Sequence, residues 1–301
     1  MELDSVRRTI RRMAESGSTR AESAGVPASW AERARAIIAG EAEPVAPRRA
    51  ATVVLLRDRP AGTEAYLLRR HTTMKFAAGM YAFPGGGVDP RDADHSPAWA
   101  GPAPAEWAKR LGTGVAEARA IVCAAVRETF EESGVLLAGP DPTSIVSDTT
   151  GADWEADRAA LVAREVTLTE FLERRALVLR SDLLGAWGRW ITPEYEDRRY
   201  DTWFFVAALP AGQRTRDVSG EADRVTWARP ADALAQHRAR ELAMLPPTID
   251  TLRHLADLTD AEAALAAAAE REITPIMARG RFEGERLVLE WPGVADPFGL
   301  R

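Results

Sequence analysis

Residues 83–89 read FPGGGVD and residues 124–137 read AAVRETFEESGVLL, and these two sequences decide the expected fold. In the second sequence, Glu128, Glu131 and Glu132 are spaced so that a helix places all three carboxylates on one face. The carbonyl groups of the last helical turns already make the potential there negative, and like charges at this spacing repel. A sequence selected only for folding would carry lysine or arginine here, so the cluster indicates a function.

The end of this helix is predicted from the residues that follow the acidic cluster. Gly134 is expected just past the last turn, because glycine readily adopts the left-handed conformation found there. Residues 135–137, which read VLL, are then expected to begin a strand.

A bound divalent cation would remove both electrostatic penalties of the acidic cluster. Clustered carboxylate oxygens favour Mg²⁺ or Mn²⁺, whereas zinc prefers histidine or cysteine. The alternative is a solvated acidic helix face without a function. The sequence context around the cluster favours the metal site.

Residues 127–135, RETFEESGV, resemble the second half of the Nudix box, the signature of hydrolases that split a diphosphate linked to another moiety. Gly86 matches the first glycine of that signature. Thr129 departs from the pattern, because an aliphatic residue is usual there. The spacing also departs, since Arg127 follows Gly86 by 41 residues (127 − 86) where the family has fourteen. About 27 residues are therefore inserted within the box, a length that a surface loop can accept.

The insertion, near residues 92–114, is rich in proline and carries only short apolar groups. It is expected to be a surface loop with one short helix at about residues 105–111, held to the body by tryptophans and peripheral to the core. The acidic residue that the box requires between its halves is either Asp92 or Glu117.

The split box resembles one group within the family, the peroxisomal-type acyl-coenzyme A diphosphatases and their bacterial relatives. Residues 189–210 and 245–256 also resemble that group, and the similarity covers roughly residues 50–256. The resemblance implies an α+β Nudix fold, in which a mixed β-sheet lies between helices. It also implies Mg²⁺- or Mn²⁺-dependent cleavage of a small diphosphate substrate, with coenzyme A or acyl-coenzyme A giving 3′,5′-ADP and (acyl-)phosphopantetheine.

The resemblance assigns roles to individual residues. The implied metal ligands are Glu128, Glu131, Glu132 and the carbonyl group of Gly85. The residue that accepts a proton would be a box glutamate such as Glu131, or Glu221 in a loop ahead of a strand. The rivals of Glu221 are Glu194 and Glu196. Arg127 would orient a box carboxylate through a bidentate pair, a role in which lysine is a poor replacement.

Substrate binding is expected from cations that could hold phosphate and from apolar residues that could line a groove. Arg69 and Arg70 lie on a predicted strand that leads to the glycine-rich sequence, and strand alternation allows at most one of them to face the site. The expected substrate-binding residues are Arg69, Arg70, Phe76, Tyr81, Gly86 and Arg198.

The chain of 301 residues is expected to form three parts. These are an N-terminal helical extension (1–45), the Nudix domain (46–256, interrupted near 92–114), and a C-terminal helix and β-hairpin packed on that domain (257–301). The hairpin is expected to span PIMARGRFEGERLVLEW and to turn at residues 283–284.

Composition restricts the environment and partners of the chain. A net charge of −6 and a pI of about 5.5 argue against general nucleic-acid binding. Cys123, the only cysteine, permits no intrachain disulfide and is expected to be a small buried core residue in a cytoplasmic protein. No segment resembles a signal peptide or a membrane span. A homodimer is kept as a candidate assembly.

Three functions remain open at this point. The first is a coenzyme A or acyl-coenzyme A diphosphatase, and the second is a hydrolase of a dinucleotide or nucleotide sugar, because specificity in such folds lies in variable loops. The third is a catalytically silent sensor or interaction module. The intact acidic cluster argues against the third function, since a site that had lost its activity would not be expected to keep a destabilising charge pattern.

Overall fold

The computed structural model describes residues 28–72, 77–94, 96–218, 220 and 222–299. The helices among them are α1 (Ala28–Ile38), α2 (Arg91–Asp94), α3 (Pro104–Leu111), α4 (Val115–Ser133), α5 (Ala152–Val162), α6 (Leu168–Arg174), α7 (Pro230–Arg238), α8 (Pro246–Ala256) and α9 (Ala261–Glu270). The strands are β1 (Arg48–Arg59), β2 (Gly62–Arg70), β3 (Tyr81–Ala82), β4 (Gly85–Gly87), β5 (Trp99–Ala100), β6 (Ala138–Gly139), β7 (Val178–Arg180), β8 (Gly185–Ile191), β9 (Tyr200–Ala208), β10 (Ala222–Ala228), β11 (Pro275–Met277), β12 (Arg279–Glu283) and β13 (Arg286–Glu290).

A mixed sheet forms the centre of the fold. Its strand order is β10-β2-β1-β9-β8-β11, with β3 added to β2 and β4 added to β1. Strands β1 and β9 run parallel, whereas β1 pairs with β2 and with β4 in antiparallel fashion. Strand β1 is central because its apolar residues are buried on both faces of the sheet.

Helices cover the sheet on both sides, as the α+β prediction requires. On one side, Val53 and Leu55 of β1 share a core with the buried face of α4 and with residues of α3, α5 and α6. On the other side, Val54 and Leu56 share a second core with α7, α8 and α9. The period-two alternation of β1 thus distributes its side chains between the two layers.

The insertion within the box is not peripheral to the core, which corrects the prediction. Trp107 of α3 is 2% exposed, and its ring packs edge-on against Phe205 of β9 at 5.8 Å between ring centroids. Leu111 is equally buried, and its carbonyl oxygen accepts a hydrogen bond from the indole of Trp203 at 3.1 Å. Helix α3 therefore supplies part of the principal core.

Residues 135–137 do not form the predicted strand. They are fully buried but irregular, and the next strand, β6, begins only at Ala138. The side chain of Gln213 replaces a strand partner, because its Oε1 accepts from the Leu136 backbone N–H at 2.8 Å and its Nε2 donates to the Leu136 carbonyl at 2.9 Å. A buried side chain can satisfy backbone groups in this way without a sheet.

The N-terminal helix and the C-terminal hairpin pack against each other. Ala34 of α1 shares a small core with Leu287 and Leu289 of β13 and with Tyr195. The hairpin itself consists of β12 and β13 only. The preceding segment, predicted as part of it, is instead β11, which pairs with β8 in the main sheet. The division of the chain into three parts stays a prediction.

Cys123 is buried, and that burial raises the pKa of its thiol to about 12, which agrees with a role in packing. None of the helices in the described ranges is long and apolar enough to span a membrane.

Candidate active site

The glycine-rich sequence forms the short strand β4 because its backbone must pass very close to other groups. A Cβ atom at Gly85 would lie 2.5 Å from the carbonyl oxygen of Ala51 on β1. A Cβ atom at Gly86 would lie 2.5 Å from the carboxylate of Glu128. Backbone atoms therefore exclude a larger residue at Gly85, whereas a larger residue at Gly86 would displace the Glu128 carboxylate, so β4 is held directly against the acidic face of α4.

Helix α4 ends where the sequence predicts. Gly134 has a φ of +73°, and its N–H donates to the carbonyl oxygen of Phe130 at 2.9 Å. Glu128, Glu131 and Glu132 consequently lie in the last two turns. The backbone N–H of Gly85 donates to Glu132 Oε2 at 2.8 Å, which ties β4 to the acidic cluster.

Arg127 connects these carboxylates. Its Nη1 lies 2.6 Å from Glu128 Oε1 and 3.2 Å from Glu131 Oε1. Its Nη2 donates to the carbonyl oxygen of Gly87 at 2.9 Å. The planar guanidinium thus holds several acceptors at once, and the role of Arg127 in orienting box carboxylates stays a prediction.

Of the two candidates for the box acid, the structure places Asp92 against Arg127. The carboxylate of Asp92 accepts from Arg127 Nε at 3.1 Å and from Nη2 at 3.0 Å, and its side chain is only 3% exposed. Glu117 lies instead at the start of α4, where it pairs with Arg49 and with the hydroxyl of Thr113. Asp92 thus forms a buried bidentate ion pair inside the site.

Burial raises the pKa values of two carboxylates in the acidic cluster. The pKa of Glu128 is raised to about 7, chiefly by burial; the charge of Arg127 opposes this rise and the charge of Glu131 adds to it. Burial likewise raises the pKa of Glu131, while Arg127 lowers it. Both carboxylates are therefore costly to keep charged in the folded protein unless a cation compensates them.

The basic residues expected at this helix end are supplied by other segments. Arg158 of α5 donates from Nη1 to the carbonyl oxygen of Glu131 at 2.7 Å. The backbone N–H of Arg216 donates to the carbonyl oxygen of Ser133 at 2.8 Å. Glu155 joins the two arginines, with contacts of 2.6 Å to Arg158 and 2.7 Å to Arg216. These cations offset the negative end of the helix dipole beside the carboxylates.

The donor set suits a hard divalent cation, since it consists of carboxylate oxygens on one helix face. Glu128 and Glu131 each use only the Oε1 atom to contact Arg127. Within the described ranges, however, no three acidic, histidine or cysteine side chains converge closely enough to enclose an ion. The oxygen chemistry of these side chains therefore fits a hard divalent cation, whereas their arrangement does not yet enclose one.

The predicted substrate-binding residues lie in different places. Arg69 pairs with Asp223 of β10 at 2.5 Å. Arg70, by alternation along β2, shares the face of Tyr66, whose ring packs in the core beneath α4. Tyr81 is buried on β3 and belongs to the core on the opposite side of the sheet. Phe76 and Glu221 lie outside the described residues.

The loop that precedes β9 packs against the N-terminal helix. Arg198 is exposed in this loop. Arg199 is buried and donates to the carbonyl oxygens of Thr192 and Val45. Tyr195 packs against Trp30 of α1, with 5.0 Å between ring centroids. The loop therefore packs the N-terminal helix, and no contact links Glu194, Glu196 or Arg198 to the acidic cluster among the residues described.

Sequence reasoning missed Arg158 and Arg216, which donate to carbonyl groups at the end of the acidic helix, and Glu155, which pairs with both arginines. It also missed Tyr66, whose hydroxyl donates to the carbonyl oxygen of Arg216 at 3.2 Å. Burial raises the pKa of Tyr66, and the charges of Asp217 and Glu132 raise it further. Because these residues are far apart in sequence, the motif itself carries no signal for them.

Comparison with known proteins identifies a matching family. The model of the NUDT19 Nudix domain matches residues 100–255, more than half of the chain. The chain is 29% identical over 199 residues to a putative nudix hydrolase 7 of Caenorhabditis elegans, covering 64% of this chain and 56% of that protein. It is 28% identical over 149 residues to the acyl-coenzyme A diphosphatase NUDT19 of Xenopus laevis, covering 44% and 38%.

The human acyl-coenzyme A diphosphatase NUDT19 is 29% identical over 265 residues, covering 70% of this chain and 68% of that protein. The match thus spans 56% of the length of the first relative and 38% of the length of the second. Among solved structures, a NUDIX hydrolase from Alicyclobacillus acidocaldarius matches with a TM-score of 0.61 and 30% identity. That match covers 74% of this chain and 96% of the bacterial one.

Proposed function

Since the chain belongs to the NUDT19 Nudix domain family, we propose that it is a metal-dependent hydrolase of a nucleoside diphosphate derivative. The observation that carries the proposal is the geometry of α4, where Arg127 gathers Glu128 and Glu131 beside the glycine-rich strand. A folded protein gains nothing in stability from buried carboxylates with raised pKa values. The cluster is therefore best explained by a bound cation and its substrate.

Coenzyme A or acyl-coenzyme A is the proposed substrate. Hydrolysis adds one water across the phosphoanhydride bond and yields 3′,5′-ADP and (acyl-)phosphopantetheine. The split box and the resemblance of the downstream segments support this choice. The names of the vertebrate relatives, which are acyl-coenzyme A diphosphatases, support it as well.

Glu128, Glu131 and Glu132, with the carbonyl group of Gly85, would hold Mg²⁺ or Mn²⁺. When bound, such an ion lowers the pKa of coordinated water, orients the diphosphate and stabilises charge that develops during in-line displacement. The side chains of this chain have three other tasks: to fix the carboxylates, to receive a proton and to hold the substrate phosphates.

Fixing the carboxylates is the task of Arg127 and Asp92. Their bidentate pair is buried, so the guanidinium cannot rotate freely and presents Nη1 to both Glu128 and Glu131. The N–H group of Gly85 holds Glu132 from the other side. The carboxylates are thus oriented before substrate arrives, which reduces the reorganisation needed during the reaction.

A carboxylate must accept the proton that water loses. Glu131 is one proposed acceptor, because burial raises its pKa above the ordinary value and so makes its carboxylate a stronger base. Glu221, in the loop before β10, remains the second proposed acceptor. Kinetics of the Glu221→Gln variant, compared with those of Glu131→Gln, would separate the two roles.

A substrate panel tests the proposed function. The purified chain is incubated with Mg²⁺ and coenzyme A, acyl-coenzyme A, a dinucleotide or a nucleotide sugar, and the products are separated by chromatography. We expect release of 3′,5′-ADP from coenzyme A or its ester, and no release when a chelator replaces Mg²⁺. Faster cleavage of the dinucleotide or nucleotide sugar would overturn the proposed substrate, and cleavage of none of the compounds would overturn the hydrolase function.

A further inference from the structure

Arg164 stands just after α5, close to the acidic cluster but outside the Nudix box. Its side chain is 78% exposed, and its nearest carboxylate contact is 3.9 Å from Nε to Asp89 Oδ2. Asp89 is already occupied, because Arg91 donates to both of its oxygens at 2.9 and 3.1 Å. The pKa of Asp89 is lowered to about 2, chiefly by this hydrogen bonding to Arg91. Arg164 therefore adds little to a pair that is already complete.

The backbone of Arg164 is nevertheless fixed to the box. Its carbonyl oxygen accepts from Arg91 Nη1 at 2.9 Å. The backbone N–H of Asp89 donates to Asp92 at 2.9 Å, and Asp92 holds Arg127. This chain of contacts fixes the position of Arg164 relative to the acidic helix, while the guanidinium stays in contact with solvent.

The guanidinium also lies within electrostatic reach of the acidic cluster. The positive charge of Arg164 is close enough to act on the carboxylate of Glu131, one of the proposed metal ligands. The neighbouring arginines are engaged: Arg127 with three carboxylates, and Arg158 with Glu155 and a backbone carbonyl. Arg164 is thus an exposed cation positioned beside the proposed metal ligands.

We propose that Arg164 binds a phosphate group of the substrate at the rim of the active site. The inference rests on the proposed function. Guanidinium groups form strong charge-assisted bonds with phosphate, and the planar fork of arginine loses less conformational freedom for each hydrogen bond that it forms than lysine does. The phosphate is either the one nearest the nucleoside in the diphosphate or the separate 3′-phosphate of coenzyme A.

Arg240 provides a matched control for Arg164, because both residues have the same unusual backbone conformation. Arg164 has a φ of +58°, a left-handed conformation that favours glycine. Arg240, an exposed arginine after α7 on the other side of the sheet, has a φ of +66°. The conformation alone therefore indicates no function. It does mean that Arg164→Gly and Arg240→Gly remove the same side chain and relieve the same backbone strain.

Binding of 3′,5′-ADP and AMP in the presence of Mg²⁺, measured by calorimetry, tests the inference without turnover. We expect Arg164→Gly to raise the Kd of 3′,5′-ADP about tenfold, and Arg164→Lys to raise it less. Arg240→Gly should bind as the parent does. Both glycine variants should melt at or above the temperature of the parent, which would show that they remain folded.

The binding of AMP distinguishes the two phosphate groups that Arg164 could contact. An equal loss of AMP affinity in Arg164→Gly would assign the contact to the phosphate of the diphosphate, and a loss confined to 3′,5′-ADP would assign it to the 3′-phosphate. Unchanged affinity for both ligands, or no binding of either ligand by the parent, would overturn the inference. Absence of hydrolysis in a parent that binds these ligands would overturn only the proposed function.

Discussion

Replacing Glu131 with Gln is expected to reduce kcat/KM at least about a hundredfold, about 2.7 kcal/mol of transition-state stabilisation, while leaving the fold intact. The change removes one charge from the proposed metal site but keeps the size of the side chain. In chelator, the same variant should melt at a higher temperature than the parent. Burial raises the pKa of Glu131, so its charged form destabilises the folded protein near neutral pH, and the neutral amide does not.

Glu173→Gln is the matched control for this variant. Glu173 is an exposed glutamate on α6. Its substitution should change neither kcat/KM nor the melting temperature beyond experimental error. Assays with coenzyme A and thermal unfolding of the three proteins would check both expectations. Full activity of Glu131→Gln would show that the site is assigned to the wrong residues.

The second large effect concerns the insertion within the box. Replacing residues 94–112 with a short Gly/Ser linker should abolish cooperative thermal unfolding. The replacement would delete Trp107, Ala108 and Leu111, all buried in the core beneath β9 and α4. A folded protein with a cooperative transition after this replacement would show that the segment is a separate surface loop.

Single substitutions in α3 make the same test quantitative. Trp107→Ala should lower the free energy of unfolding by about 3–5 kcal/mol, because it leaves a large cavity against Phe205. Trp107→Phe should cost less, since the indole N–H of Trp107 makes no hydrogen bond within the described ranges. Lys109→Ala, at an exposed position of the same helix, should change stability by less than about 0.5 kcal/mol. Denaturant unfolding would provide these values.

The acidic helix could be predicted because its signals are local. Three glutamates at helical spacing and a glycine just past them specify the face of α4, its carboxylates and its end at Gly134. The sheet between two helical layers also follows from the alternation and length of its apolar segments together with the family resemblance. Local periodicity and turn chemistry therefore account for the elements that build the site.

The insertion was misread because its apolar residues are few and widely spaced. Trp107 and Leu111 stand four residues apart on one short helix, which is too short for a strong periodic signal. Their burial depends on Phe205 and Trp203 of β9, roughly a hundred residues later in the chain. Packing between segments so far apart in the sequence cannot be predicted from the pattern of neighbouring residues.

The ion-pair partners of the arginine residues also could not be predicted from the sequence. Arg69 was expected to bind phosphate, yet Asp223 from a distant strand is paired with it. Asp92 and Glu117 were the two candidates for the box acid, and only the path of the inserted residues shows that Asp92 lies beside Arg127. Arg164 lies outside the box altogether, and only the contact with Arg91 brings its backbone to the site. Ion pairs across sequence distance are decided by the fold, not by spacing.

We propose that the acidic end of α4 holds a divalent cation. Titration with Mn²⁺, followed by electron paramagnetic resonance, tests this claim directly. Free Mn²⁺ has a signal that is lost on binding, so the Kd can be read without any substrate. The parent and Glu173→Gln are expected to bind Mn²⁺ with the same affinity, whereas the double variant with Glu128→Gln and Glu131→Gln should show at least about tenfold weaker binding. Binding of Mn²⁺ by that double variant with the affinity of the parent would contradict the claim.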